Sequence, residues 1–237
     1  SLGKAETWTD FLKWLGKNLI YVAEVAGVGE LYETAAEFLK FNTRPLNQRE
    51  IDLARSVFGN AINYNLVRVD TKALLGPSWT GRAYVSFNTI NSWGPLEDDT
   101  FIHEMTHVWQ YQQDGAIYMA EAIHAQESGA GYNYGGLTAL QASKDAGLGL
   151  TSFNREQQGD ILRDYYRLRE RVKTGTGEQP RWASDATCDH LPLYAHFVKD
   201  ASTLTVDQLK APGCAPPSQS DLSGKSFNVI EEPRDAG

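Results

Sequence analysis

Two of the chain's five histidines stand four residues apart, in His103-Glu104-Met105-Thr106-His107. This segment constrains the fold more than any other. On an α-helix the two imidazoles project from one face, one turn apart, so two ring nitrogens can reach one ion. Glu104 lies beside them and can take a proton from a water on that ion. The flanks agree with a helix. Gly94-Pro95 breaks the chain before it, Glu97, Asp98 and Asp99 supply an acidic first turn, and Gly115 follows the end. The sequence therefore predicts a helix from about Glu97 to Gln113, with Phe101, Met105 and Val108 as a separate apolar stripe.

Composition narrows the function classes. The 237 residues suit one domain, or one domain with a sub-lobe, and are enough to bury a core without staples. A net charge of -8 with no basic run argues against binding a phosphate backbone, so no nucleic-acid partner is expected. The most apolar stretch, Phe11 to Leu31, carries Lys13, Lys17, Glu24 and Glu30, so no transmembrane segment is expected. The start, Ser1-Leu2-Gly3, has neither methionine nor a signal pattern, as in a fragment or a matured product. Cys188 and Cys214 are the only thiols, either bridged across a long loop or inert.

Periodicity gives a mostly helical α+β chain. Residues 5 to 41 read as a helical pair, a packing lobe or a surface for docking on a partner or membrane. Asn47 to Phe58 reads as an amphipathic helix. Asn65 to Asp70 and Ala83 to Asn88 read as strands, the second either a sheet edge or an internal strand. Helix follows over Tyr118 to Gln126 and Thr138 to Ala146, with a glycine-rich loop from Gly129 to Gly136 between them. Ser152 or Asn154 caps a longer helix to about Val172, and residues from Ala211 onward read as a loosely ordered tail.

A catalytic zinc site takes three protein ligands and keeps one position open. Gln110 and Gln113 occupy the positions where a metzincin needs glycine and a third histidine, which excludes that subclass. A histidine third ligand would be His124, His190 or His196, and a carboxylate would be Glu121, Glu127 or Glu156. Glu156 has the best surroundings, because Asp160 follows it by one turn of the capped helix. Two like charges so spaced repel, and a metal with its histidine ligand would relieve them. Asp160 would then accept the outer N–H of a liganding imidazole. The competing account pairs Asp160 with Arg163 as an ordinary ion pair, and Glu127 is then the next ligand candidate.

His103-Glu104-x-x-His107 followed by Glu156-x-x-x-Asp160 resembles the gluzincins, the thermolysin-like zinc peptidases. His103-Glu104-Met105-Thr106-His107-Val108-Trp109-Gln110 with Phe153-Asn154-Arg155-Glu156-Gln157-Gln158 is similar to compact metallopeptidase domains of bacterial effectors, some carried on type VI secretion spike proteins. The likeness covers about residues 44 to 172, with Gly159 where the group would place alanine. It implies a zincin-like fold, assigned to residues 44–210; the N-terminal helical segment (1–43) and the tail (211–237) lie outside the likeness. A small sheet precedes the metal helix, and a helical C-terminal part carries the third ligand. It implies one zinc ion on His103, His107 and Glu156, Glu104 as general base, and Asp160 orienting His103. The oxyanion stabiliser would be a tyrosine or histidine, from Tyr132, Tyr134, His190 and His196. The partners implied are a peptide or protein substrate, a secretion-machine carrier and an immunity protein. The setting implied is a secreted toxin acting in the target-cell periplasm or another extracytoplasmic space. The alternative is a non-catalytic metal-binding or docking module attached to a secretion machine.

Overall fold

Asn47 starts the first helix as the sequence signals. Its side-chain oxygen accepts from the Glu50 N–H at 2.9 Å, and the Glu50 carboxylate accepts back from the Asn47 N–H at 2.8 Å. This reciprocal cap satisfies two backbone donors and sets the entry of α1 (Gln48–Phe58). The computed structural model describes residues 43–72, 83–115 and 131–210. The helices expected over 5–41 and 118–126, the tail from 211, and the candidates Glu121, His124 and Glu127 lie outside the described residues.

The chain is α+β and mostly helical, with one small sheet. Its strands are β1 (Arg44–Pro45), β2 (Arg68–Asp70), β3 (Tyr84–Ser86) and β4 (Thr89–Asn91), in the order β1-β2-β4-β3. β2 and β4 run parallel, and the outer pairs run antiparallel. Val69, Ile90 and Val85 stand side by side across β2, β4 and β3 and are all buried. β3 therefore lies at one end of the described sheet, and β2 and β4 are internal.

The structure corrects two expectations. Tyr64 to Leu66 winds as a 3-10 turn capped by the Asn63 side chain, so the first expected strand shortens to β2. The second expected strand, Ala83 to Asn88, ends at Ser86 and doubles back as a hairpin. Phe87 at its tip has φ 57°, a conformation rare for a bulky residue. Its ring packs edge-on against Tyr111 with centroids 5.5 Å apart, which holds the turn against that cost. The sequence of β4 reads as a polar boundary, because Thr89 and Asn91 flank a single apolar residue.

α2 (Asp98–Asp114) carries the histidine pair and is buried more completely than its stripe predicts. Every residue from Phe101 to Gln110 is buried. A helix enclosed on all sides belongs to the core, so its polar residues need internal partners. α3 (Gly136–Asp145) follows, then α4 (Arg155–Thr174), α5 (Leu191–Val198) and α6 (Val206–Leu209). Asn154 and Gln157 form a second reciprocal cap at the start of α4, and Gly175, with φ 72°, ends it. α2 packs along α4, and α5 covers another side of α4. Met105, Val108, Ile161, Leu162, Tyr165 and Phe197 meet in one core.

Periodicity does not reveal α5, because Leu191-Pro192-Leu193-Tyr194-Ala195-His196-Phe197-Val198 is an apolar run without helical contrast. Cys188 is disulfide-bonded, and Cys214 lies outside the described residues. Among the described residues no helix is long and apolar enough to cross a membrane.

Candidate metal centre

α2 and α4 bring three side-chain atoms to one point. His103 Nε2 is 3.2 Å from His107 Nε2 and 3.3 Å from Glu156 Oε2, and His107 Nε2 is 3.4 Å from the same oxygen. All three residues are buried, and no other such group of metal-ligating side chains occurs among the described residues. Ligands of a tetrahedral zinc at about 2.0–2.1 Å stand about 3.3 Å from one another. The three edges of this triangle match that spacing.

The outer atoms of the two imidazoles fix what the inner atoms are. His107 Nδ1 lies 2.8 Å from Gln110 Oε1. The Gln110 amide cannot turn round, because its Nε2 donates to Arg155 O at 3.1 Å and to Gln158 Oε1 at 2.9 Å. Gln158 is fixed in turn by donating to Phe153 O at 2.8 Å. Gln110 therefore presents an acceptor to His107, and the Nδ1 proton belongs there. His103 Nδ1 stands 2.8 Å from Asp160 Oδ1, a close contact that falls short of hydrogen-bond geometry but leaves the carboxylate as its nearest acceptor. In the neutral tautomers both Nε2 atoms then carry lone pairs. In those tautomers two lone pairs and a carboxylate oxygen converge, an arrangement that a bound cation, or a proton on one Nε2, relieves.

The electrostatics favour positive charge at that point. Burial works against a charged His103, yet Asp160 and Glu156 outweigh it and raise its pKa to about 10. Burial and Glu156 act in the same opposed way on His107, which is also raised. Glu156 is lowered despite its burial, by His107 and His103. Glu104 is raised, chiefly by burial, with His103 and His107 pulling the other way. Its Oε2 is buried and has no hydrogen-bond partner. An orphaned carboxylate oxygen beside three converging ligands fits a site built to hold an ion and a water. The donor set, two imidazoles and one carboxylate, suits zinc.

Three residues outside the motif reading complete the surroundings. Gln110 enters the sequence argument only as excluding a metzincin, although its position three residues after His107 puts it on the same helix face. Gly159 lets α4 approach the ring closely: a Cβ there would lie 2.7 Å from His103 Cε1 and 2.8 Å from Nδ1. The glycine in place of the expected alanine is thus a packing requirement of this chain. Trp182 donates its indole N–H to Asp160 Oδ2 at 2.5 Å, and no sequence signal marks it. Arg163 also reaches Asp160 Oδ1 at 2.8 Å, so the histidine contact and the ion pair that compete in the sequence coexist on one carboxylate.

The four oxyanion candidates separate. The Tyr132 ring lies 5.8 Å from the His103 ring, centroid to centroid. Tyr134 is buried, with its hydroxyl donating to Asp164 at 2.8 Å and meeting the Tyr194 hydroxyl at 2.6 Å. His190 Nδ1 accepts from the Thr187 N–H at 3.0 Å, and His196 Nε2 donates to Leu148 O at 3.1 Å. Among these contacts, only that of Tyr132 reaches a residue of the triangle.

The described chain is thus an α+β domain with a buried His-His-Glu group able to hold a metal ion. It is 33% identical over 138 residues to the type VI secretion system spike protein VgrG2b of Pseudomonas aeruginosa. That match takes in 52% of this chain and only 13% of the spike protein's length. The solved effector domain of Pseudomonas aeruginosa VgrG2b is 27% identical, covering 65% of this chain and 90% of that one, with a TM-score of 0.41. No family model matches the chain.

Proposed function

We propose that the chain is a zinc-dependent peptidase with a gluzincin-like site and a zincin-like fold, delivered as a type VI secretion effector. The observation that carries the reading is the triangle of His103, His107 and Glu156, with edges of 3.2 to 3.4 Å, beside the orphaned Oε2 of Glu104. His103, His107 and Glu156 would hold the ion, with Asp160 and Gln110 orienting the two rings. When bound, zinc would lower the pKa of a water and polarise a scissile carbonyl. Glu104 takes the proton of the attacking water and returns it to the leaving amine. Tyr132, beside His103, is the best placed of the four candidates to donate to a developing oxyanion.

The alternative, a non-catalytic metal-binding or docking module, calls for a structural site with four protein ligands. The described residues bring three to this site. Similarity to a VgrG spike protein supports a secretion-machine carrier; on this reading the chain is a secreted toxin with an immunity protein as its counterpart in the producing cell. A disulfide-bonded Cys188 suits an oxidising compartment such as the periplasm of a target cell.

Glu104→Ala should retain zinc at one ion per chain and a wild-type circular dichroism spectrum while losing peptide hydrolysis by at least about 100-fold. Metal content and cleavage of a peptide library measure the two separately. Full hydrolysis by that variant would end the general-base assignment.

A further inference from the structure

Trp182 belongs to no motif, yet it grips α4 at two acidic residues one turn apart. Its indole N–H donates to Asp160 Oδ2 at 2.5 Å, and its backbone N–H donates to Asp164 Oδ2 at 2.9 Å. The Arg181 N–H donates to Asp164 Oδ1 at 2.6 Å, and the Tyr134 hydroxyl adds a bond to Oδ2 at 2.8 Å. Both aspartates are fully buried. The Trp182 carbonyl lies against Gly136, where a Cβ would approach it to 2.5 Å, and the Arg181 guanidinium lies 4.9 Å over the indole. The main chain at 181–182 is thus anchored on Asp164 and α3, and the indole projects from that anchor onto Asp160.

What the indole does follows from competition for Asp160. Oδ1 lies 2.8 Å from both His103 Nδ1 and Arg163. A guanidinium prefers to take both oxygens of a carboxylate in a fork. If Asp160 turned about its last torsion to give Arg163 both oxygens, His103 would lose its outer acceptor. With Oδ2 committed to the indole, that rotation is blocked and Oδ1 stays turned toward the histidine. We propose that Trp182 is a positioning residue of the metal centre: its indole N–H locks the Asp160 carboxylate and, through it, the His103 ring. This rests on the reading of the triangle as a zinc site.

The test uses the full chain and Trp182→Phe, which removes the N–H but keeps an aromatic ring under Arg181. Zinc affinity is measured by competition with a chromophoric chelator, and ligand geometry by the visible absorption of the cobalt-substituted protein. Trp182→Phe should bind zinc roughly 10- to 100-fold more weakly, with an altered cobalt spectrum. Tyr134→Phe, which removes a bond on the Asp164 side, should lower the melting temperature and leave zinc affinity and the cobalt spectrum in place. Should Trp182→Phe fail to fold, a benzothiophene analogue of tryptophan at the same position removes the N–H without changing the shape. Wild-type zinc affinity and spectrum in a folded variant would overturn the proposal, as would an equal loss in Tyr134→Phe. A wild-type chain that takes up no zinc would instead overturn the metal-centre reading itself, and this proposal with it.

Discussion

The two histidines of α2 are supported from outside in opposite ways. His103 leans on a charged group, Asp160, which also answers to Arg163 and Trp182. His107 leans on a neutral one, the Gln110 amide, held by Gln158 and by main-chain carbonyls. The carboxylate supplies charge and makes its imidazole a stronger ligand, but it must be restrained from serving Arg163 alone. The amide supplies direction only, and both of its ends are tied. In the proposed metal site, orienting a ligand and strengthening it would be separate tasks, divided between the two halves.

Removing the charged support should have the largest effect. Asp160→Ala leaves Arg163 buried without its counter-charge, a change that costs about 3–5 kcal/mol in comparable buried pairs. Urea unfolding measures it, and chelator competition should show that zinc binding falls further than in any Gln110 variant. Next comes the contact between α4 and the His103 ring. Gly159→Ala places a Cβ within 2.8 Å of two ring atoms, and such overpacking costs about 1–3 kcal/mol. A thermal melt should show the loss, and zinc affinity should fall because the His103 ring is the group displaced. Full zinc affinity in Gly159→Ala would mean that the ring has room to give. The smallest effect belongs to the neutral side. Gln110→Ala should weaken zinc by roughly 10-fold with little added electrostatic penalty. If Gln110→Ala and Asp160→Ala lose zinc and stability equally, the contrast between charge and direction collapses.

The pairs within each helix are legible in the sequence because they depend on helical spacing alone, whereas the meeting of Glu156 with the two histidines depends on α2 packing along α4. His103 and His107, and Glu156 and Asp160, are pairs at i, i+4, and that spacing shares a face in any helix. The reciprocal caps at Asn47 and Asn154 are equally local; α1 starts where the sequence reads it, and α4 starts at its Asn154 cap, one of the two caps the sequence offers, and runs two residues past Val172. What stays hidden depends on contacts between distant segments. β4 exists because Ile90 finds Val69 and Val85 on either side. α5 has no polar face to show because it is wrapped by other elements. Trp182 reaches Asp160 across 22 positions, and nothing around it in the chain marks it. Gln110 is visible but speaks only for what it excludes, since an uncharged side chain attracts no notice as a partner of a ligand.

The Gln110 relay ends on Arg155 O and Phe153 O, two carbonyls at the start of α4. Every amino acid carries such a group, so exchanging the side chain at 153 or 155 leaves the relay's final acceptors in place. A one-residue insertion or deletion between Phe153 and Asn154 would move the Phe153 carbonyl away from Gln158 and leave each named side chain unaltered. On the His107 side, the centre is therefore guarded against changes of letter more than against changes of length.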